Sequence, residues 1–378
     1  MENKFFREIK NQFGFGAMRL PMKDGQVDTE EMTKMVDAFL EAGFNYFDTA
    51  HGYLGGKSEV ALRECLTSRY PREAYVLTNK LSTHFFTKEE ELEPLFQSQL
   101  DACGVDYFDF FLMHAQDGSI YEKYKRCHAY EFALKKKEEG KIRHFGISFH
   151  DTAEVLDRIL TEQPEIEIVQ LQFNYIDYED PSVQSRKVYE VCEKHGKPVI
   201  VMEPVKGGSL AKIPETAVEL FKNTESDLSV PSWAIRFAAS LPNVMMVLSG
   251  MSNIEQMNDN LSYMTDFKPL TEEENKLCFR VADIINGQIA VPCTACSYCV
   301  EGCPKDIPIP KYFSLYNDIC REDMEHKGWT ISFTNYNVLT KEYGKASECI
   351  GCGQCERICP QHLTIIDYLK DVAGRFEA

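Results

Sequence analysis

Eight of the fourteen cysteines fall in two short runs, Cys293, Cys296, Cys299 and Cys303, then Cys349, Cys352, Cys355 and Cys359. Each run has the spacing C-x2-C-x2-C-x3-C and is closed by a proline, Pro304 or Pro360. Thiolates this dense chelate soft metal, as tetrahedral zinc or as an iron–sulfur cluster. A disulfide scaffold is the poorer reading, because fourteen cysteines are few for a chain of 378 residues and eight of them are so tightly spaced. The other six, Cys65, Cys103, Cys127, Cys192, Cys278 and Cys320, are scattered and read as packing residues. A second group of reactive side chains lies further upstream. Asp48, Lys80, His114, Ser148, Gln170 and Glu203 each stand at the end of a short apolar run. A cap, a solvated lysine or a satisfied histidine explains any one of them; their recurrence at run ends suggests a shared rim.

Those runs must be strands for the rim to exist. β-rich segments at 13–17, 44–48, 74–79, 108–113, 143–148, 166–170, 198–202 and 244–249 alternate with amphipathic segments at 30–42, 59–68, 88–103, 129–139, 152–160, 185–195 and 231–239. Asp28 or Thr29, and Ser229 with Pro231, read as helix starts. Eight such repeats predict an α/β protein with a closed (β/α)8 TIM barrel, whose reactive residues gather at the carboxyl ends of the strands. An open doubly wound sheet is the alternative, but the segment after Phe13 lacks the third glycine and the helix of a dinucleotide fingerprint. Gly14 and Gly16 are then read as relief of crowding in a strand. The expected organisation is a barrel over 1–265, a linking helix over 266–290 and a small, mainly helical two-cluster domain over 291–378. Within that domain 311–327 holds one or two helices and 331–343 is ambiguous.

Composition narrows the partners. A formal charge of −18 gives no basic footprint for nucleic acid, while leaving room for a basic redox protein. The chain has no run of eighteen apolar residues and no apolar leader near its start, so membrane insertion and secretion are not expected and a cytoplasmic location is.

The cysteine runs resemble those of two-cluster bacterial ferredoxins, proline included. That resemblance implies two [4Fe–4S] clusters with crossed ligation: Cys293, Cys296, Cys299 and Cys359 on one, Cys349, Cys352, Cys355 and Cys303 on the other. The 45 residues between the runs exceed the short connection of a compact ferredoxin and suggest a helical elaboration. The upstream part resembles the aldo-keto reductases, in the branch with a C-terminal iron–sulfur domain. Phe47-Asp48-Thr49-Ala50-His51-Gly52-Tyr53 with Gly55-Gly56-Lys57-Ser58-Glu59, Thr78-Asn79-Lys80 and Leu112-Met113-His114 carry the likeness. It implies a catalytic set of Asp48, Tyr53, Lys80 and His114. Reduction by hydride needs a proton for the new alkoxide; Tyr53 supplies it, Lys80 favours its ionisation, Asp48 holds Lys80, and His114 orients the carbonyl.

The same resemblance implies NADH or NADPH. Ser148 and Gln170 would meet the nicotinamide; Glu203, Pro204, Val205, Lys206, Gly208 and Leu210 the phosphates or ribose; Gly250, Ser252, Gln256 and Asn260 the adenosine end. Some relatives place lysine and arginine where this chain has Gly250 and Gln256, which tilts the expectation toward NADH. Pocket walls are expected from Met18, Arg19, 84–86, 116–121 and 175–178. Three functions follow. One is an NAD(P)H-dependent oxidoreductase interconverting a small carbonyl and an alcohol. Another is an iron–sulfur electron-transfer enzyme linking a redox protein to substrate reduction; splitting a hydride pair would need a flavin, for which the sequence has no signature. The last is a non-catalytic redox or ligand-binding module.

Overall fold

The structure, a computed structural model, describes residues 4–180, 183–224, 228–287, 290–291, 293, 297, 299–300, 302–321, 331–359 and 362–377. Eight parallel strands close into a barrel: Phe13–Gly16 (β1), Tyr46–Asp48 (β2), Val76–Leu81 (β3), Phe108–Gln116 (β4), Ile142–Phe149 (β5), Ile168–Gln172 (β6), Val199–Met202 (β7) and Val244–Gly250 (β8). They run in order around the wall, with β1 paired to both β2 and β8. All eight expected strands are present, and the expected helices alternate with them. The helix Thr29–Glu41 starts as the sequence suggests, with Asp28 accepting from the Glu31 amide at 3.1 Å. Ser229 also precedes a helix, Val230–Ala239, but its hydroxyl donates to Asp259 at 2.7 Å instead of capping.

Close packing inside the barrel explains two of its glycines. A Cβ on Gly14 would stand 2.7 Å from Leu248, and one on Gly146 would stand 2.5 Å from the Ile168 carbonyl oxygen. The amino end of the barrel is plugged by Phe5, Phe6 and Ile9, packed against Tyr46, Phe110, Met245 and Met246. Beneath that plug His144 bridges Glu8 and Glu167 at 2.5 and 3.1 Å.

Burial opposes the charged His144 ring, but its bonds to Glu167 and Glu8 outweigh it and raise the pKa to about 9. Glu167 is likewise disfavoured by burial, yet His144 and Lys137 draw it down to about 2. The imidazolium therefore contributes stability that is complete below the ordinary histidine value of 6.5 and is lost as pH climbs to about 9. The carboxylate contributes above its ordinary 4.5 and is lost as pH falls to about 2. The unfolding free energy of the barrel, read from urea titrations, should thus fall on the alkaline side by up to about 3 kcal/mol. A His144→Gln variant should lose that alkaline slope; an unchanged slope would mean that another group carries it.

The chain divides into two compact units, Met1–Val281 and Ala282–Ala378, with the division inside the helix Glu272–Asn286. The second unit is helical where described: Ile309–Arg321, Ile331–Leu339, Gln354–Ile358 and Ile365–Phe376. Its core contains Ile307, Ile309, Tyr312, Phe313, Tyr336, Ile365, Leu369 and Phe376, with Cys299, Cys355 and Cys359 among them.

The internal duplication reaches beyond the cysteines. Ser297 and Gly353 occupy matching places in the two runs, with φ of 62° and 69°. Asp306 and His362, each three residues after the last cysteine of a run, have φ of 50° and 51°. A helix then begins at Ile309 and at Ile365, six residues after Cys303 and Cys359 respectively. Tyr312 and Tyr368 take equivalent places in those helices.

Candidate active site and thiol cavity

The carboxyl ends of the strands bring the four expected catalytic residues together. Asp48 closes β2, Lys80 lies near the end of β3, His114 lies in β4, and Tyr53 opens the turn that follows β2. That turn is left-handed at Leu54, Gly55 and Gly56, which folds the chain back and keeps the tyrosine at the rim. The Lys80 ammonium uses all three donors, to Asp48 Oδ1 at 2.6 Å, the Thr49 carbonyl at 2.8 Å and the Tyr53 hydroxyl at 3.3 Å. Gln170 Nε2 donates to the other Asp48 oxygen at 3.3 Å. His114 lies beside Tyr53, the ring centroids 5.9 Å apart, and its Nδ1 shares a 2.5 Å hydrogen bond with Ser82.

Burial sets the protonation states. It pushes Tyr53 above the ordinary phenol value; Lys80 pulls the other way but does not prevail, and Asp48 adds to the rise. The sequence-based expectation that Lys80 lowers Tyr53 is thus met in sign for that contact and outweighed in sum. Tyr53 is a protonated hydroxyl at neutral pH. Burial, with Lys80 second, holds His114 well below the usual histidine range, so its ring is neutral. The Ser82 bond admits either tautomer; in the one where the hydroxyl donates to Nδ1, Nε2 carries the hydrogen and can donate to a carbonyl oxygen. Lys80 itself stays charged: burial disfavours the ammonium, but Asp48 and Tyr53 together raise its pKa.

Two cavities open from this rim. One of about 630 Å³ is lined by Gly52, Tyr53, Ser82, Thr83, His84, Phe85, His114 and Ala115. Of the expected pocket walls, His84 and Phe85 line it. Phe86, Tyr121 and Tyr175 are buried instead, and Tyr178 packs its ring on Phe173, Phe237 and Phe279. The other, about 910 Å³, is lined by Glu203, Pro204, Val205, Gly208, Gly250, Ser252, Gln256 and Asn260, all expected cofactor residues.

The remaining expected contacts are placed differently. Lys206 turns its ammonium to Asp177 at 2.6 Å, Leu210 is buried, and Ser148 Oγ accepts from the Ala115 amide at 2.7 Å. Gln170 is 2% exposed, and its Oε1 has no hydrogen-bond partner. An orphan acceptor beside the four expected catalytic residues is a place where a ligand's N–H could be taken up.

Three features were not singled out by sequence. Arg19, expected only as a pocket wall, lines the nucleotide-sized cavity. Glu59, 1% exposed, binds His51 at 2.8 Å and Asn79 at 2.8 Å, and Asn79 in turn accepts from the Lys80 amide. This chain of bonds fixes the backbone under Lys80; the serine–glutamate pair Ser58-Glu59 was its visible sign. Ser249 receives a hydrogen bond from Asn260 at 3.0 Å and so sets that side chain against the cavity.

In the second unit, Cys303, Cys349, Cys352 and Cys355 line one cavity of about 340 Å³. These are the four that the ferredoxin resemblance assigns to a single cluster. Among the described residues no three such side chains meet around a single-ion position. Burial pushes the Cys355 thiol up to about 11, with the neighbouring Cys349 and Cys352 adding to the rise. Iron would relieve both effects by taking the sulfur as thiolate. The Ile307 amide donates to Cys303 Sγ at 3.5 Å, a bond of the kind that tunes a cluster's potential. Of the other set, Cys299 and Cys359 are in the core, Cys293 packs against it, and Cys296 lies outside the described residues. The described cysteines form no disulfide.

A buried lysine–carboxylate pair under a tyrosine thus stands at the carboxyl end of a parallel barrel, where enzymes of this fold keep their chemistry. The chain belongs to the aldo/keto reductase family, whose model matches residues 12–283, and residues 292–364 match the 4Fe-4S dicluster domain. It is similar to the uncharacterized oxidoreductase YqkF of Bacillus subtilis, 23% identical over 70% of this chain and 90% of the relative. It is also similar to the NADH-specific methylglyoxal reductase of Escherichia coli, 23% identical over 67% of this chain and 89% of that one. A solved aldo/keto reductase from Klebsiella pneumoniae in complex with NADP and acetate shares the fold, at a TM-score of 0.57 and 17% identity, covering 72% and 91% of the two chains. Among the described residues no helix is long and apolar enough to cross a membrane.

Proposed function

We propose that this chain is an NAD(P)H-dependent oxidoreductase that interconverts a small carbonyl compound and its alcohol, and that it carries two [4Fe–4S] clusters in its C-terminal unit. The observation that carries the first part is the Lys80 ammonium bonded at once to Asp48 and to the Tyr53 hydroxyl, beside a neutral His114. Nicotinamide supplies the hydride when bound. The chain's own part is to accept the carboxamide at Gln170 Oε1, point His114 Nε2 at the carbonyl oxygen, and deliver the Tyr53 proton to it. The NADH-specific relative and the NADP-bound neighbour named above support a dinucleotide in the cavity lined by Glu203, Gly250 and Asn260. The clusters supply one-electron storage, and the crossed thiol set around one cavity supports their ligation.

The test uses full-length protein prepared anaerobically with its iron content assayed. NADH and NADPH are titrated by nicotinamide fluorescence, and a panel of small carbonyls is then added. Saturable binding followed by oxidation of the nucleotide is the expected result; binding without turnover across the panel would leave a ligand-binding module. A second reading, electron delivery from a redox protein, is favoured by the exposure of Cys352 at the edge of its cavity. It expects the cluster's visible absorption, bleached by prior reduction, to return when carbonyl substrate is added to the reduced protein, and a flavin released on denaturation.

A further inference from the structure

One hydrogen decides what His114 can offer a carbonyl. Burial first, then Lys80, His150 and His84, keep its ring neutral, so one nitrogen carries a hydrogen and the other a lone pair. A carbonyl oxygen is an acceptor: an N–H at Nε2 attracts it and a lone pair there repels it. Among the described residues Nε2 makes no hydrogen bond, and the ring lines the cavity of about 630 Å³ beside Tyr53. The choice of tautomer therefore falls on what meets Nδ1, which is the Ser82 hydroxyl at 2.5 Å.

The strand ladder places these two side by side. The last pair between β3 and β4 is Leu81 with Met113, so the next residues out are Ser82 and His114. Tyr124 ties the same two strand ends together, its buried hydroxyl lying against both the Leu81 and the His114 carbonyl oxygens. Just past His114 the chain turns left-handed at Ala115, with φ of 54°, and Ser148 Oγ takes the Ala115 amide at 2.7 Å. The backbone under the ring is thus held from both neighbouring strands.

Ser82 also leaves an ordinary task undone. It stands at the cap of the short turn Thr83–Phe85, where a serine side chain commonly accepts from a nearby amide. Its side chain makes no such bond, and the Phe85 amide goes to the Ser82 backbone carbonyl at 3.2 Å. The hydroxyl has one hydrogen to give. Were it to accept from an N–H at Nδ1, that hydrogen would have no protein acceptor among the described residues. When it donates to Nδ1 its hydrogen is satisfied, and the ring hydrogen is left at Nε2.

We propose that Ser82 is a positioning residue of this site: its hydroxyl donates to His114 Nδ1 and so holds the ring in the Nε2–H form that a carbonyl oxygen needs. Ser82 gives up no proton in the reaction, and Tyr53 remains the donor to the alkoxide. The purpose of the device rests on the carbonyl reading above, whereas the tautomer is a property of the protein alone.

The experiment records nitrogen NMR spectra of the full-length, anaerobically prepared protein carrying isotope-labelled histidine, and of its Ser82→Ala and Ser82→Thr variants. A His114→Gln variant identifies the His114 signals by their loss. In the unsubstituted protein at neutral pH the hydrogen is expected on Nε2. In Ser82→Ala the two ring nitrogens should move toward a common shift as the tautomers mix. The same variant should lower kcat/KM for the carbonyl about 10-fold, with nucleotide binding retained. Ser82→Thr keeps a hydroxyl and should restore both the tautomer and the rate. A hydrogen on Nδ1 in the unsubstituted protein would overturn the proposal, as would a Ser82→Ala ring whose tautomer is unchanged. An Nε2–H ring in a protein that reduces no carbonyl of the panel would uphold the tautomer assignment and remove the carbonyl reading instead. Should Ser82→Ala not fold, the unsubstituted protein and Ser82→Thr decide the matter by the same spectra.

Discussion

Replacing Tyr53 by phenylalanine is expected to reduce carbonyl turnover by about 10²–10⁴-fold, the range for loss of a positioned proton donor, while nucleotide binding is retained. The substitution removes one oxygen and leaves the ring on the Lys80 ammonium, which stands 4.9 Å from its centroid. Lys80 keeps its bonds to Asp48 and to the Thr49 carbonyl, so the buried ion pair survives and the barrel should remain folded. The loss should fall on kcat more than on KM, because the proton is given up only as the alkoxide forms. A variant with undiminished turnover would show that another group, His114 foremost, is the donor.

The second large effect concerns Cys303. Its place in the sequence is with Cys293, Cys296 and Cys299, but in space it lines the cavity of Cys349, Cys352 and Cys355. Cys303→Ala should therefore resemble Cys355→Ala and not Cys293→Ala in its spectral consequences. In each of the first pair the cluster held by the second run is lost, about four irons per chain. Since ligation contributes folding energy, the thermal transition of the C-terminal unit should drop as well. Iron analysis together with the paramagnetic spectrum of the reduced protein reads both outcomes. A Cys303 variant whose remaining signal matches that of a Cys355 variant supports the crossing; one that matches Cys293 ends it.

Much of the barrel was legible because its information is local. Each strand is a short β-rich run whose last polar residue reaches the rim, so Asp48, Lys80 and His114 could be placed by counting alone. Tyr53 needed the resemblance, since the left-handed turn through Leu54 and Gly55 that presents it has no periodicity to read. The placement of Arg19 was hidden for a different reason. It depends on empty space over Gly207 and Gly250, residues about 190 and 230 positions away, and no spacing rule connects an arginine to a glycine it covers.

The ion pair of Lys206 was not legible because Asp177, its partner, lies buried after β6, in a segment that reads as an aromatic loop. The aromatic share of that loop also misled. Tyr175 and Tyr178 suggest a pocket wall by type, while their surroundings make them core and helix packing. In the C-terminal unit the cysteines announced a repeat, but its extension into the helices that follow rests on left-handed residues at Ser297, Asp306 and His362, a conformation that no periodicity announces.

The thiol cavity that draws on both cysteine runs also dictates an order of assembly. During synthesis the barrel unit is complete at Val281, before any of the eight run cysteines has been made. Cys303 then waits for a further 46 residues before the first of its cavity companions, Cys349, exists. On the proposed crossed ligation neither half of this unit could close its own site in advance, so metal capture would come last, after every residue of the barrel has been made. A cell short of iron would then accumulate chains with a finished barrel and an open tail, and the tail, not the barrel, would be where quality control finds them.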